Sequence, residues 1–221
     1  MASTGEGFWS PNGVDGYHTY LQRALPKETF VTFRRAYIRN IAYAFQYLEY
    51  LDMTMAGALH STVQSQTRKT FIITGCGIIE SILWMLLKAG DYQKKDWWEE
   101  VQKRQTNEFD DDGQKLKFEV RQYCKRSSPV ELEMRFIDMC RRAENMKVLG
   151  ITSDVYAQIG HLRELRNRVH IHAVQHDRDN DWWIFEARDV ETMKKVLRAV
   201  LRTDIFAPFP LYDVNFEWLG T

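Results

Sequence analysis

Cysteine is scarce: Cys76, Cys124 and Cys140 are odd in number and far apart in 221 residues. That excludes a disulfide framework and the paired-cysteine spacing of a structural zinc site. Net charge is missing too, since thirty basic and thirty acidic residues cancel. No overall field draws in nucleic acid or an anionic membrane, and contact with a polyanion has to rest on a local patch. No basic start followed by an apolar run opens the chain, so no signal peptide is expected. The most apolar stretch, Phe71 to Leu87, is shorter than the roughly 20 residues of a membrane span. It is also interrupted by Thr74, Gly75, Gly77, Glu80 and Ser81. It reads as a buried core helix, with no membrane partner. A Gly-x-Ser-x-Gly elbow, a cysteine close to a histidine in sequence and a phosphate-binding glycine loop are all absent. The expectation is a cytoplasmic protein with no cofactor.

What is present is mostly helical pattern. Residues 1–25 are rich in Gly, Ser and Asp at their start and are expected to be loosely ordered, ahead of a single domain over 26–221. Pro26 suits the opening of a helix, and Lys27 to about Ala56 repeats Phe, Tyr, Ile and Leu at helical spacing. Its aromatics, among them Phe30, Phe33, Tyr37, Phe45, Tyr47 and Tyr50, read as the core of a bundle, with a base-stacking platform as the rival. Arg68 to Ala89 forms a second long helix that Gly90 stops, and the two together suggest an antiparallel hairpin. Glu80 stands inside the apolar run, where a carboxylate is costly unless paired, so it either makes a structural ion pair or holds a functional cation.

Lys94 to Arg104, with Trp97, Trp98 and Val101 among charges, is expected to be a short amphipathic helix. Phe109 to Gly113 reads as a solvated acidic turn, because its carboxylates lack the alternation and closing Glu of a calcium loop. Pro129 opens a helix from Val130 to about Lys147 with Leu132, Phe136, Met139 and Cys140 inward. Ser153 caps the next helix, Trp182 to Phe185 reads as extended, and Asp189 caps a last helix from Val190 to about Arg202.

The most chemically loaded window is His161-Leu-Arg-Glu-Leu-Arg-Asn-Arg-Val-His-Ile-His172, with three arginines, an asparagine and three of the six histidines. At about 100° per residue, Leu162, Leu165 and Val169 share an apolar stripe, and Arg163, Arg166, Asn167 and His170 share a sector of roughly 80° beside it. His172 joins that sector only if the helix ends or tightens, which the β-branched Val169 and Ile171 favour. Fixed cations, a polar side chain and a group titrating near neutral pH are what phosphodiester cleavage without metal requires.

Leu165-Arg166-Asn167-Arg168-Val169-His170 resembles the signature of the HEPN superfamily (higher eukaryotes and prokaryotes nucleotide-binding). RNase members of that superfamily place an arginine and a polar residue four to six residues before a histidine. Arg166 to His172 leaves five residues between, Arg163 to His170 leaves six, and Arg166 to His170 leaves three. The resemblance is clearest over about Thr70 to Leu201. It implies an all-α, HEPN-like helical bundle with two long antiparallel helices and shorter C-terminal ones. It also implies an endoribonuclease (hydrolase) of toxin–antitoxin or phage-defence character, with Arg163, Arg166, Asn167, His170 and His172 as the catalytic group. RNA would be the substrate, a homodimer would bring two motifs together, and an antitoxin or regulatory protein would be a further partner.

Two other readings stand beside it. The same groove in a non-catalytic module would bind a nucleotide, RNA or a partner protein, with the arginines paired to Glu164 or Glu80 and His170 a half-buried structural residue. A metal site from His170, His172, His176, Asp177 and Asp179 is the second, although His170 and His172 are two apart, which suits one face of a strand and not of a helix. No metal is expected.

Overall fold

The computed structural model describes residues 10–26, 33–169, 180–206 and 215–220. The chain divides into two compact units, one formed by residues 1–92 with 135–221 and the other by Gln93–Met134. The first is helical. Its elements are α1 (Val14–Ala24), α2 (Arg34–Ala56), α3 (Ser61–Ala89), α4 (Phe136–Asn145), α5 (Ser153–Asn167), the single turn α6 (Asp181–Ile184) and α7 (Ala187–Leu201), followed by a 3-10 turn at Glu217–Leu219.

The second unit corrects the all-α expectation: the fold is mixed α/β. Strand β1 (Lys95–Gln105) pairs antiparallel with β4 (Glu119–Glu131), and β2 (Phe109–Asp111) pairs with β3 (Gln114–Leu116). The segment read as an amphipathic helix is therefore β1, and its Trp97, Trp98 and Val101 are residue types that suit a pleated surface. The acidic turn is a two-residue hairpin loop, with φ of 46° at Asp112 and 78° at Gly113, the backbone that an Asp-Gly pair favours. Pro129 does not open a helix. It sits in β4 within the register shift between the Asp96–Val130 and Trp98–Lys125 pairs, where a missing N–H breaks no ladder bond. The helix expected from Val130 starts only at Phe136.

Residues 14–24, expected to be loosely ordered, form α1, whose Tyr17, Tyr20 and Leu21 are fully buried at helical spacing. Tyr17 packs against Phe45 and Phe216 at ring distances of 5.8 and 5.2 Å. Its hydroxyl donates to the buried Glu49 carboxylate at 2.8 Å, which also accepts from the backbone and side chain of Asn12. Burial, and then Glu49, raise the Tyr17 hydroxyl above its ordinary range.

Helices α2 and α3 form the expected antiparallel hairpin. The Tyr37 and Trp84 rings meet at 4.9 Å with their planes tilted by 31°, and a groove places Ala44 near Thr74. The start expected at Lys27 lies outside the described residues, while α3 begins earlier than expected, at Ser61. By length and composition α3 could cross a membrane, and 61% of its most apolar window is buried in the fold. It ends in a Schellman motif in which Asp91 takes the left-handed position (φ 56°) and the Tyr92 N–H bonds to the Leu87 carbonyl at 2.8 Å.

Candidate functional site

Helix α5 carries the motif. Thr152 takes the N-cap position, Asp154 in the first turn and Arg166 in the last suit the helix dipole, and Tyr156, Ile159, Leu162 and Leu165 fill the buried face. The helix stops at Asn167. Arg168 and Val169 follow as a turn, with N–H groups bonded three residues back to the Leu165 and Arg166 carbonyls at 3.0 and 3.2 Å. This is the early ending that the β-branched residues allow.

At that end Arg166 Nη2 donates to Glu80 Oε2 of α3 at 2.9 Å. The side chains are 36% and 27% exposed, so the pair is worth about 1 kcal/mol. Glu80 thus makes the ion pair that its place in the apolar run called for, and the cation it holds is an arginine of the motif window. Glu80 lies on the part of α3 that is not buried, with Gly77, Ser81 and Trp84.

Arg163 lies nearly one turn earlier and deeper. Its side chain is 18% exposed, and it meets Glu164 at 3.5 Å, a long contact to a carboxylate that is 71% exposed. Its Nε is buried without a hydrogen bond. Burial pushes the neighbouring thiols of Cys76 and Cys140 up to about 12, against the pull of Arg166 on the first and Arg163 on the second. Both thiols therefore stay protonated near neutral pH and are poor nucleophiles. Burial likewise raises the Tyr156 hydroxyl above its ordinary range.

Arg163, Arg166 and the exposed Asn167 are thus on one helix end beside Glu80. His170 and His172, and the rival metal set of His176, Asp177 and Asp179 with them, lie outside the described residues. Among the described residues no group of three or more His, Cys, Asp and Glu could hold a metal ion.

One contact of the window was not foreseen. His161 Nε2 meets Asp189 Oδ1 of α7 at 3.0 Å, and Asp189 Oδ2 accepts from the Glu186 backbone N–H. Asp189 is not the N-cap; Glu186 is, and Asp189 is the fourth residue of a capping box. The signal lay in Glu186 and Asp189 standing three apart, both able to cap. The Trp182 segment is likewise not extended. It is the turn α6, clamped by Asp181 to Lys69 at 2.9 and 3.0 Å and to Gln66 at 2.7 Å.

No protein-family model matches the chain, and no curated protein or solved structure matches it either.

Proposed function

We propose that this chain is a metal-independent endoribonuclease of HEPN type, of toxin or phage-defence character. The observation that carries the reading is the arrangement at the end of α5. Arg166 is fixed by Glu80, Arg163 stands behind it, Asn167 is exposed, and the helix stops just before the two histidines. In the reaction the RNA 2′-oxygen attacks the adjacent phosphorus and gives up its proton to a base. The bond from phosphorus to the 5′-oxygen breaks, that oxygen takes up a proton, and a 2′,3′-cyclic phosphate and a 5′-hydroxyl remain. Arg166 and Arg163 would offset the charge of the pentavalent phosphate, and His170 or His172 would move the proton. One motif supplies the base more readily than both base and acid, so a symmetric homodimer with facing seams completes the site.

A specific observation favours the second reading, a non-catalytic module that binds RNA, a nucleotide or a protein. Arg166 already has a carboxylate partner on one edge and Arg163 is mostly buried, so each offers a phosphate less than its whole guanidinium. Incubating purified protein with end-labelled RNA separates the two readings. Cleavage lost in Arg166→Ala supports the nuclease, and binding without cleavage supports the module.

A further inference from the structure

The face of α2 turned away from the core has a chemistry of its own. At about 100° per residue, Arg35, Arg39, Tyr43, Tyr47 and Tyr50 fall within a sector of roughly 120°, opposite the buried Ile38, Ile41, Phe45 and Leu48. The three tyrosines are 51%, 45% and 48% exposed, on a surface where a solvated helix ordinarily carries Lys and Glu. Their rings are organised. Tyr47 and Tyr50 stack at 6.3 Å with planes 16° apart. The Arg39 guanidinium sits 5.7 Å from the Tyr43 ring centroid, and its Nε donates to the Tyr43 hydroxyl at 3.3 Å.

The charge on this face is of one sign. The helix's own acids point elsewhere: Glu49 is buried against Asn12 and Tyr17, and Asp52 is paired with Lys194 at 2.5 Å. Of the described carboxylates, Asp15 of α1 reaches Arg39, at 3.0 Å, and it is 84% exposed. Such a pair is worth little and is readily exchanged for a phosphate. Tyr43 and Tyr50 are seven residues, or about 10 Å, apart along the axis, room for successive bases. A groove of about 330 Å³, with Asn40 and Ala44 on one wall and Gly77 and Ser81 on the other, lies between this face and the stretch of α3 that carries Glu80.

We propose that this face of α2 binds single-stranded RNA, with bases stacked on Tyr43, Tyr47 and Tyr50 and phosphates held by Arg35 and Arg39. Aromatic side chains offer every base a stacking surface, and the arginines supply the local patch that a chain of zero net charge otherwise lacks. The choice of RNA rests on the nuclease reading above, but the surface lies outside the Arg163–Arg166 seam and its occupancy requires no cleavage.

The test is fluorescence anisotropy of wild-type protein with a labelled 12-nucleotide 2′-O-methyl oligouridylate, which lacks the attacking hydroxyl and stays intact. Replacing Tyr43, Tyr47 and Tyr50 together by Ala is expected to weaken binding at least about 30-fold, while the triple Phe variant keeps it. Arg35→Ala with Arg39→Ala is expected to flatten the slope of log affinity against log salt by about 1.4, from two phosphate contacts at roughly 0.7 each. Melting by circular dichroism shows whether the triple Ala variant remains folded; if it does not, the single Tyr→Ala variants carry the comparison. No binding by wild-type protein at 100 µM, or equal binding by the tyrosine variants, overturns the proposal. A fall in molecular mass on light scattering for the triple Ala variant, with RNA binding unchanged, overturns it in favour of a protein interface. Unmodified RNA with its 2′-hydroxyls, bound through the tyrosines but never cut, overturns the nuclease reading and leaves this one standing.

Discussion

Arg166 Nη2 donates to Glu80 Oε2 at 2.9 Å and so ties the last turn of α5 to the middle of α3. The carboxylate fixes one edge of the guanidinium and leaves the remaining N–H groups to be aimed at a phosphate. On the proposed reading, Glu80 is a positioning residue for a catalytic arginine.

Glu80→Gln is expected to lower kcat about 10-fold with KM little changed, and Glu80→Ala to lower it further, since the aim of Arg166 matters in the transition state more than in binding. Loss of a pair this exposed should cost about 1 kcal/mol, or roughly 2–4 °C in Tm for a chain of this size. A large drop in Tm with kcat unchanged in the folded fraction would make the contact purely structural.

On the proposed reading, the ending of α5 at Asn167 favours one of the two histidines. A straight helix would keep His170 on the face of Arg166, but the helix stops before it, so the five-residue spacing from Arg166 to His172 is the expected motif. His172→Ala should cost about 10²–10⁴ in rate, and His170→Ala much less. The opposite order in single-turnover cleavage would restore the straight-helix register.

Cleavage is expected to survive EDTA, because the chemistry proposed draws on arginine and histidine alone. Loss of activity in chelator, with recovery on adding zinc or manganese, would shift the site to His170, His172, His176, Asp177 and Asp179.

Much of the helical body was legible because apolar residues recur at helical spacing in α2, α3, α5 and α7. Glu80 was legible as a carboxylate too costly to leave unpaired inside an apolar run, with the arginines of the window as candidate partners, although that the partner is Arg166, 86 residues away, came only from the fold. The β-ribbon was not legible, because β1 and β4 are exposed along most of their length and neither alternates apolar with polar residues, so the period of a strand is missing from the sequence. Their exposed cross-strand pairs, such as Arg121 with Glu100 at 3.2 Å and Lys103 with Glu119 at 2.8 Å, are visible only once the strands are in register. Asp112-Gly113 was the one strong local signal of a hairpin. In α1, Tyr17, Tyr20 and Leu21 stand at helical spacing, but glycines at 13 and 16 masked the pattern.

Asp181 should make stability sensitive to acid. Burial works to raise its carboxyl, but hydrogen bonds from Gln66 and Lys69 outweigh it and hold the group below its ordinary range. A depressed folded pKa contributes stability that is present above the unfolded value of about 3.9 and is lost as pH falls through the folded value. Asp181→Asn is therefore expected to cost about 1–3 kcal/mol at pH 7, leaving Lys69 buried without its partner, and to lose less than wild type between pH 4 and pH 2. Parallel urea unfolding curves at the two ends of that range, with an unchanged gap between variant and wild type, would contradict the linkage.

The most direct measurement of the central claim is the end chemistry of RNA incubated with wild-type protein and with Arg166→Ala, resolved by mass spectrometry. The account predicts fragments ending in 2′,3′-cyclic phosphate and 5′-hydroxyl from the wild type, insensitive to EDTA and reduced about 10²–10³-fold in the variant. Uncut RNA with the wild type, or the same fragments at the same rate from both proteins, would contradict it.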